Sequence, residues 1–203
     1  MGSAVLEGRA VDKVAQRRSE LAAAALKTLS ELGYARTSLR DIAANSEFSH
    51  GVLHYYFRDK VDLITYCVRE YKAQCVTRYD QVVATASSAS ELAAGFLDKL
   101  TETLVEESAM HRLWYDLRGQ SMFEESFRAD VAEIDVSLER MIWRVVTRYA
   151  ELSGKAPQIG SSGMYAVFDG LFQQALLRQL AGDDTAAADL RAAVTEVLPH
   201  LVR

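Results

Sequence analysis

Apolar residues recur three or four positions apart over nearly all of this 203-residue chain, the period of helices with a buried face, and they predict an all-α protein of nine helices. From about residue 13 to residue 32, Val14, Leu21, Ala25, Leu29 and Leu32 follow a helical pattern, and Gly33 stands where a C-terminal cap belongs. Ser38 and Asp41 have the spacing of a capping pair, and Leu39, Ile42 and Ala43 line the short helix they open. Asn45, Ser46 and Glu47 favour a turn, after which Phe48, Val52 or Leu53, and Phe57 resume an apolar face. The fourth helix is predicted over about 59–83, with Leu63 and Cys67 on one face and Ile64, Val68, Tyr71 and Cys75 on another.

Ser87, Ser88 and Ser90 mark a loop. A fifth helix follows at about 91–107 with Leu92, Phe96, Leu100 and Leu104, and a sixth at about 109–120 with Met110, Leu113, Trp114 and Leu117. The seventh, about 124–152, has one stripe of Val131, Ile134, Leu138, Met141, Val145, Tyr149 and Leu152 and a second of Val136, Trp143, Val146 and Ala150. A helix apolar on two faces is expected to run through the middle of a bundle. Gly154, Pro157 and Gly160 end it. The eighth helix, about 162–181, carries Met164, Phe168, Leu171, Phe172 and Ala175. The ninth, about 185–202, carries Leu190, Val194, Val197 and Leu201, and its late Pro199 predicts a frayed or kinked end. The expected organisation is a leader at 1–12, a three-helix module at 13–58 and a bundle of about six helices at 59–203.

Composition agrees with this pattern, since proline occurs only twice and alanine and leucine are plentiful. No apolar run approaches the ~18 residues of a membrane span, and the N-terminus lacks the apolar core of a secretory signal, so a cytoplasmic protein is expected. The two cysteines, Cys67 and Cys75, are eight residues apart on one predicted helix. At ~1.5 Å rise per residue that is about 12 Å, too far for a disulfide, so reduced buried thiols are expected. Residues 1–60 hold nine Lys/Arg against seven Asp/Glu, whereas residues 61–203 hold 14 against 21. Only the N-terminal module is suited to a polyanion.

The segment Thr37–Lys60 therefore reads as a helix-turn-helix whose second helix leaves an outer face of Ser49, His50, Gly51, Val52, His54 and Tyr55. That face is small or flat, hydrogen-bonding and free of acids, and it suits the major groove of DNA. The pattern Gly33-Tyr34-x-x-Thr37-Ser38-x-x-Asp41-Ile42-Ala43, then Phe48-Ser49-x-Gly51-x-Leu53-x-x-Tyr56-Phe57-x-x-Lys60-x-x-Leu63, resembles the DNA-binding domain of the tetracycline-repressor (TetR) family over roughly a quarter of the chain. The resemblance implies a homodimeric, ligand-responsive transcriptional regulator, most often a repressor, whose fourth helix joins a DNA-reading module to a regulatory body.

By that resemblance Ser38 and Arg40 fall at the DNA, and the fork of Arg40 suits a guanine edge or a phosphate. Ser49, His50, Gly51 and Val52 are the candidates for reading base edges: Gly51 for close backbone approach, Val52 for a thymine methyl. His54 stands where the family usually places a phosphate-contacting tyrosine, and a ring nitrogen can replace it. Of Tyr55 and Tyr56, one is expected on the backbone and the other packed inward. Lys60 opens the fourth helix, where its charge and the helix N-terminus both favour a phosphate. Lys13, Arg17 and Arg18 are either further phosphate contacts or a solvated basic face. Glu47 replaces a family glycine whose backbone tends to need a positive φ; either it is held there at a cost of about 1 kcal/mol or the turn takes a different shape. His50 and His54 have a spacing that can chelate zinc, but no third ligand pattern accompanies them, so neither a metal nor a cofactor is expected.

In the body, Tyr66, Phe96, Trp114, Tyr115, Trp143, Phe168 and Phe172 supply bulk that would either fill an ordinary core or, as the family resemblance implies, line an effector pocket. Dimerisation is expected through the eighth and ninth helices as a four-helix bundle. A helical enzyme is the rival from another class, but His111 and His200 show no partner triad. A ligand-binding or protein-docking bundle with a weakened DNA module is the second rival, with Glu47 and His54 as its signs.

Overall fold

The structure, a computed structural model, describes residues 13–203 with their side chains and residues 2–12 by backbone alone, so the leader expected at 1–12 lies outside the fully described residues. Among the described residues the regular secondary structure is helical apart from a single β-bridge. It forms two compact units, one of residues 1–71 with 112–131 and one of residues 72–111 with 132–203. The division differs from a simple cut near residue 58, because α4 (Lys60–Thr77), α7 (Ser108–Gln120) and α8 (Arg128–Leu152) each contribute residues to both units.

In the first unit, α1 (Gly2–Arg36) buries Leu21, Ala25 and Leu29. Gly33 interrupts it at φ 75° and ψ 172°, a left-handed backbone that glycine adopts without a Cβ penalty. α2 (Leu39–Ala44) begins with the predicted capping box: the Ser38 hydroxyl accepts from the Asp41 N–H at 3.2 Å, and the Ser38 N–H donates to Asp41 Oδ2 at 2.8 Å. α3 (His50–Tyr56) is capped by Ser49, whose hydroxyl accepts from the Val52 N–H at 3.3 Å. Leu39, Ile42, Phe48, Leu53, Phe57, Leu63, Ile64 and Cys67 complete this core. Among the described residues no non-glycine has a positive φ, so Glu47 sits in a turn of different shape and the strain is not there.

The second unit holds α5 (Asp80–Thr85), α6 (Ala89–Glu106), α9 (Ser161–Leu180) and α10 (Ala186–Val197), with α6, α9 and α10 packed on one another. The predicted fourth helix is broken in two between Thr77 and Asp80. Tyr79 is buried there against Phe96, with ring centroids 5.0 Å apart, and α5 packs onto α6 where Gly95 leaves room for Val82. The second stripe of α8 is only partly covered: Val146 and Ala150 are buried, Trp143 is half-buried and Val136 is exposed. Pro199 converts the chain end to a 3-10 turn at Leu198–Leu201. That end is pinned, because residues 201–203 pair with residues 156–158 through three backbone hydrogen bonds of 2.8–2.9 Å.

Candidate nucleic-acid interface

The cap at Ser49 and the buried pair Leu53 and Phe57 fix which side of α3 faces outward. Ser49, Gly51, His54 and Tyr55 are exposed, Tyr55 to 81%, while His50 and Val52 are half-buried. The His50 and His54 rings meet edge to face at 4.4 Å, as do Tyr55 and Tyr56 at 5.0 Å. A Cβ added at Gly51 would touch nothing closer than Ser49 Oγ at 3.9 Å, so the glycine is not demanded by the chain's own packing. Ser38 and Arg40 are also exposed, although Ser38 is occupied as the α2 cap. Its hydroxyl lowers the Asp41 carboxyl below the usual range.

Other basic residues are engaged by neighbours within the unit. Arg17 lies over the Phe48 ring at 4.6 Å and pairs with Glu20 at 2.6 Å. Arg18 stacks between Phe57 and Tyr66, at 4.7 and 4.6 Å, and meets Asp62 at 3.4 Å. Lys60 is half-buried with its Nζ 4.0 Å from the centroid of the Tyr34 ring. Burial lowers its pKa, and Glu124, Asp116 and Asp41 oppose that shift.

The aromatic residues expected around an effector are divided between the units. Tyr66 belongs to the first, where its hydroxyl meets Ser19 Oγ at 3.1 Å; fully buried Trp114 and half-buried Tyr115 are in that unit too. Phe96, Phe168, Phe172 and half-buried Trp143 belong to the second, with Phe96 and Phe168 edge to face at 5.7 Å.

Beside Phe172 the second unit holds a buried polar chain that the hydrophobic pattern did not single out. Lys72 is 4% exposed and His111 is 7% exposed. Lys72 Nζ is 3.4 Å from His111 Nδ1, and His111 Nε2 is 2.9 Å from Thr103 Oγ1, whose hydroxyl donates to Glu107 Oε2 at 3.3 Å. Arg78 closes the chain on Glu107 at 2.6 Å, and the imidazole packs edge to face on Phe172 at 4.7 Å. Burial, then Lys72 and Arg78, push the His111 pKa down to about 2, so the ring is neutral. Burial also brings Lys72 down to about 8, against the pull of Cys75, Asp169 and Glu107. The available sequence signal was positional: Lys72 shares the α4 face of Val68 and Cys75, and His111 lies three residues before buried Trp114.

Among the described residues no cluster of three or more His, Cys, Asp or Glu is placed to hold a metal, and no helix is long and apolar enough to cross a membrane.

Residues 21–67 match the sequence profile of "Bacterial regulatory proteins, tetR family", and residues 69–203 match that of "BetI-type transcriptional repressor, C-terminal". Over 189 residues the chain is 29% identical to the HTH-type transcriptional regulator BetI of Escherichia coli strain K12, covering 90% of this chain and 94% of that one. A solved TetR transcription regulator from Haloarcula marismortui has the same fold, with a TM-score of 0.75, 19% identity, and coverage of 93% of this chain and all of that one. So does a transcriptional regulator from Saccharomonospora viridis solved with choline, at TM-score 0.73, 16% identity, and coverage of 93% and 98%.

Proposed function

This chain belongs to the tetR family of bacterial regulatory proteins, and on that premise we propose that it is a homodimeric repressor, released from a palindromic operator by a small-molecule effector. The observation that carries the proposal is the outward face of α3. Ser49, Gly51, His54 and Tyr55 form an acid-free exposed surface on a helix whose other side is anchored by Leu53 and Phe57. With Arg40 and Ser38 beside it, that surface suits base edges and phosphates of one major groove. Two copies about 34 Å apart read two half-sites.

Dimerisation through α9 and α10 is supported by Leu177 and Leu180, 64% and 40% exposed on α9. The effector reading draws on the relative solved with choline and on Phe96, Trp143, Phe168 and Phe172 of the second unit. An effector releases DNA only if its affinity differs between the two conformers. We assign the protein to the cytoplasm and give it no catalytic role.

Footprinting on DNA flanking the protein's own gene tests this reading: a protected palindrome is expected, lost on Arg40→Ala with the dimer intact. No protection on any DNA would favour the rival, a ligand-binding bundle with a weakened DNA module. A metabolite that raises the melting temperature counts as the effector only if it also weakens the footprint.

A further inference from the structure

Lys60 begins α4 three residues beyond Phe57, the inner anchor of α3, so whatever holds Lys60 also bears on the DNA-reading helix. Its position in the sequence suggests a phosphate contact. The geometry of the first unit points to another role. We propose that Lys60 is a positioning residue, held against the ring of Tyr34, which Asp116 and Glu124 fix in turn, so that the end of the helix-turn-helix is tied through Tyr34 to α7. The proposal rests on the DNA-binding role of α3 given above.

Four contacts make the holding site. The Lys60 ammonium lies 4.0 Å from the Tyr34 ring centroid, within cation–π range. The Tyr34 hydroxyl donates to Glu124 Oε2 at 3.2 Å, and its ring packs edge to face on Phe127 at 5.2 Å. The Tyr34 N–H donates to Asp116 Oδ2 at 2.8 Å. Arg112, one turn before Asp116 on α7, donates to the carbonyls of Ser30 and Glu31. α7 therefore grips the end of α1 twice, with a cation on terminal carbonyls and a carboxylate on the N–H beyond them. Gly33 suits this grip, because its φ of 75° strains any other residue and a Cβ there would stand close to Asp116 Oδ2, at 3.3 Å.

Electrostatics oppose a phosphate at the same place. Glu124, Asp116 and Asp41 all act on the Lys60 ammonium. A phosphate drawn to Lys60 would approach these carboxylates, and a lysine swung out to meet it would forfeit the Tyr34 face. Arg40 and His54, both exposed, are better placed for that contact.

Amine labelling read by mass spectrometry tests the assignment first in the free protein. Lys60 is expected to react several times more slowly than exposed Lys27 of the same unit, and faster once Asp116→Ala removes the acceptor that holds the Tyr34 N–H. Adding operator DNA should leave the Lys60 rate unchanged. Labelling as fast as Lys27, or protection appearing only with DNA, would overturn the proposal. The second arm is salt dependence. Lys60→Met is expected to weaken DNA binding roughly fivefold while leaving the slope of log K against log salt unchanged, and Asp116→Ala is expected to do the same. A slope reduced by about 1 on Lys60→Met would instead mark a phosphate contact. If Lys60→Met failed to fold, the wild-type labelling would still decide. A wild-type chain that bound no DNA would sink the repressor reading and leave the labelling result standing.

Discussion

His111 Nδ1 lies 3.4 Å from Lys72 Nζ, with both side chains almost wholly withdrawn from solvent. An ammonium can only donate, so Nδ1 accepts and the proton sits on Nε2, which donates to Thr103 Oγ1, while the Thr103 hydroxyl donates to Glu107. The chain of donors thus has one direction, from Lys72 to the carboxylate that Arg78 also holds.

The first prediction concerns acid. His111 stays neutral in the fold down to about pH 2, whereas the unfolded chain takes up a proton near 6.5. Below that value the unfolded state binds more protons, so stability falls as pH falls. Between pH 6.5 and 5 the loss from this one group is about 2 kcal/mol, or about 6 °C in melting temperature. Lys72 acts in the same sense at higher pH, its proton leaving the folded state near 8 rather than 10.5. Melts of wild type and His111→Gln from pH 5 to 8 check this: the variant should lack about 2 kcal/mol of the acid loss, and parallel curves would refute it.

What the sequence made legible was whatever is local. The Ser38–Asp41 box and the turn at Gly33 each depend on neighbours within four residues, and each stands where the sequence pattern put it; the Ser49 cap is just as local but was not singled out. Contacts between distant segments were not legible: Tyr34 to Asp116 spans 82 residues and Lys72 to His111 spans 39. Both redirect a charged side chain inward that pattern alone would leave in solvent. The break at Tyr79 was hidden for a related reason, since the apolar period runs through it and the contacts made at the bend, Tyr79 on Phe96 and Val82 on Gly95, lie on another helix. Tyr66 has the bulk of a pocket residue, yet its partners Ser19, Arg18 and Phe57 belong to the first unit, with the helix-turn-helix.

Ser49 separates the capping of α3 from the DNA contact proposed for it. Aspartate caps a helix as well as serine does, so Ser49→Asp should keep stability within about 0.5 kcal/mol while setting an acid against the phosphates. Operator affinity should drop at least about tenfold. Ser49→Ala should do the reverse in stability, losing about 1 kcal/mol with the cap. Thermal melts paired with fluorescence anisotropy decide it; an Asp variant that binds DNA like wild type would mean that this face does not meet DNA.

Gly95 tests why α5 leaves the line of α4. Alanine inside a helix normally adds about 1 kcal/mol over glycine, but a Cβ here would come within 2.8 Å of Val82 Cγ1, on a stiff branched side chain. Gly95→Ala is therefore expected to destabilise by about 1–3 kcal/mol. In a Val82→Ala background the sign should invert, and the same change should stabilise by about 1 kcal/mol. A double-mutant cycle by urea unfolding reads the coupling directly, and an additive result would contradict the packing.

Leu177 carries the test of assembly. It is 64% exposed on α9 and Leu180 is 40% exposed on the same helix, so an acidic group at either place costs the isolated subunit little. In a helix-paired dimer the same group would be buried without a partner, at a cost of several kcal/mol across the twofold axis. Leu177→Glu is therefore expected to melt like wild type when dilute, yet to scatter light as a monomer at concentrations where wild type is a dimer. Operator affinity should fall with it, because one α3 grips one half-site and the second no longer follows at high effective concentration. A Leu177→Glu protein that remains dimeric would move the twofold contact elsewhere on the molecule, and one that is monomeric but binds the full operator undiminished would remove the need for a dimer at all.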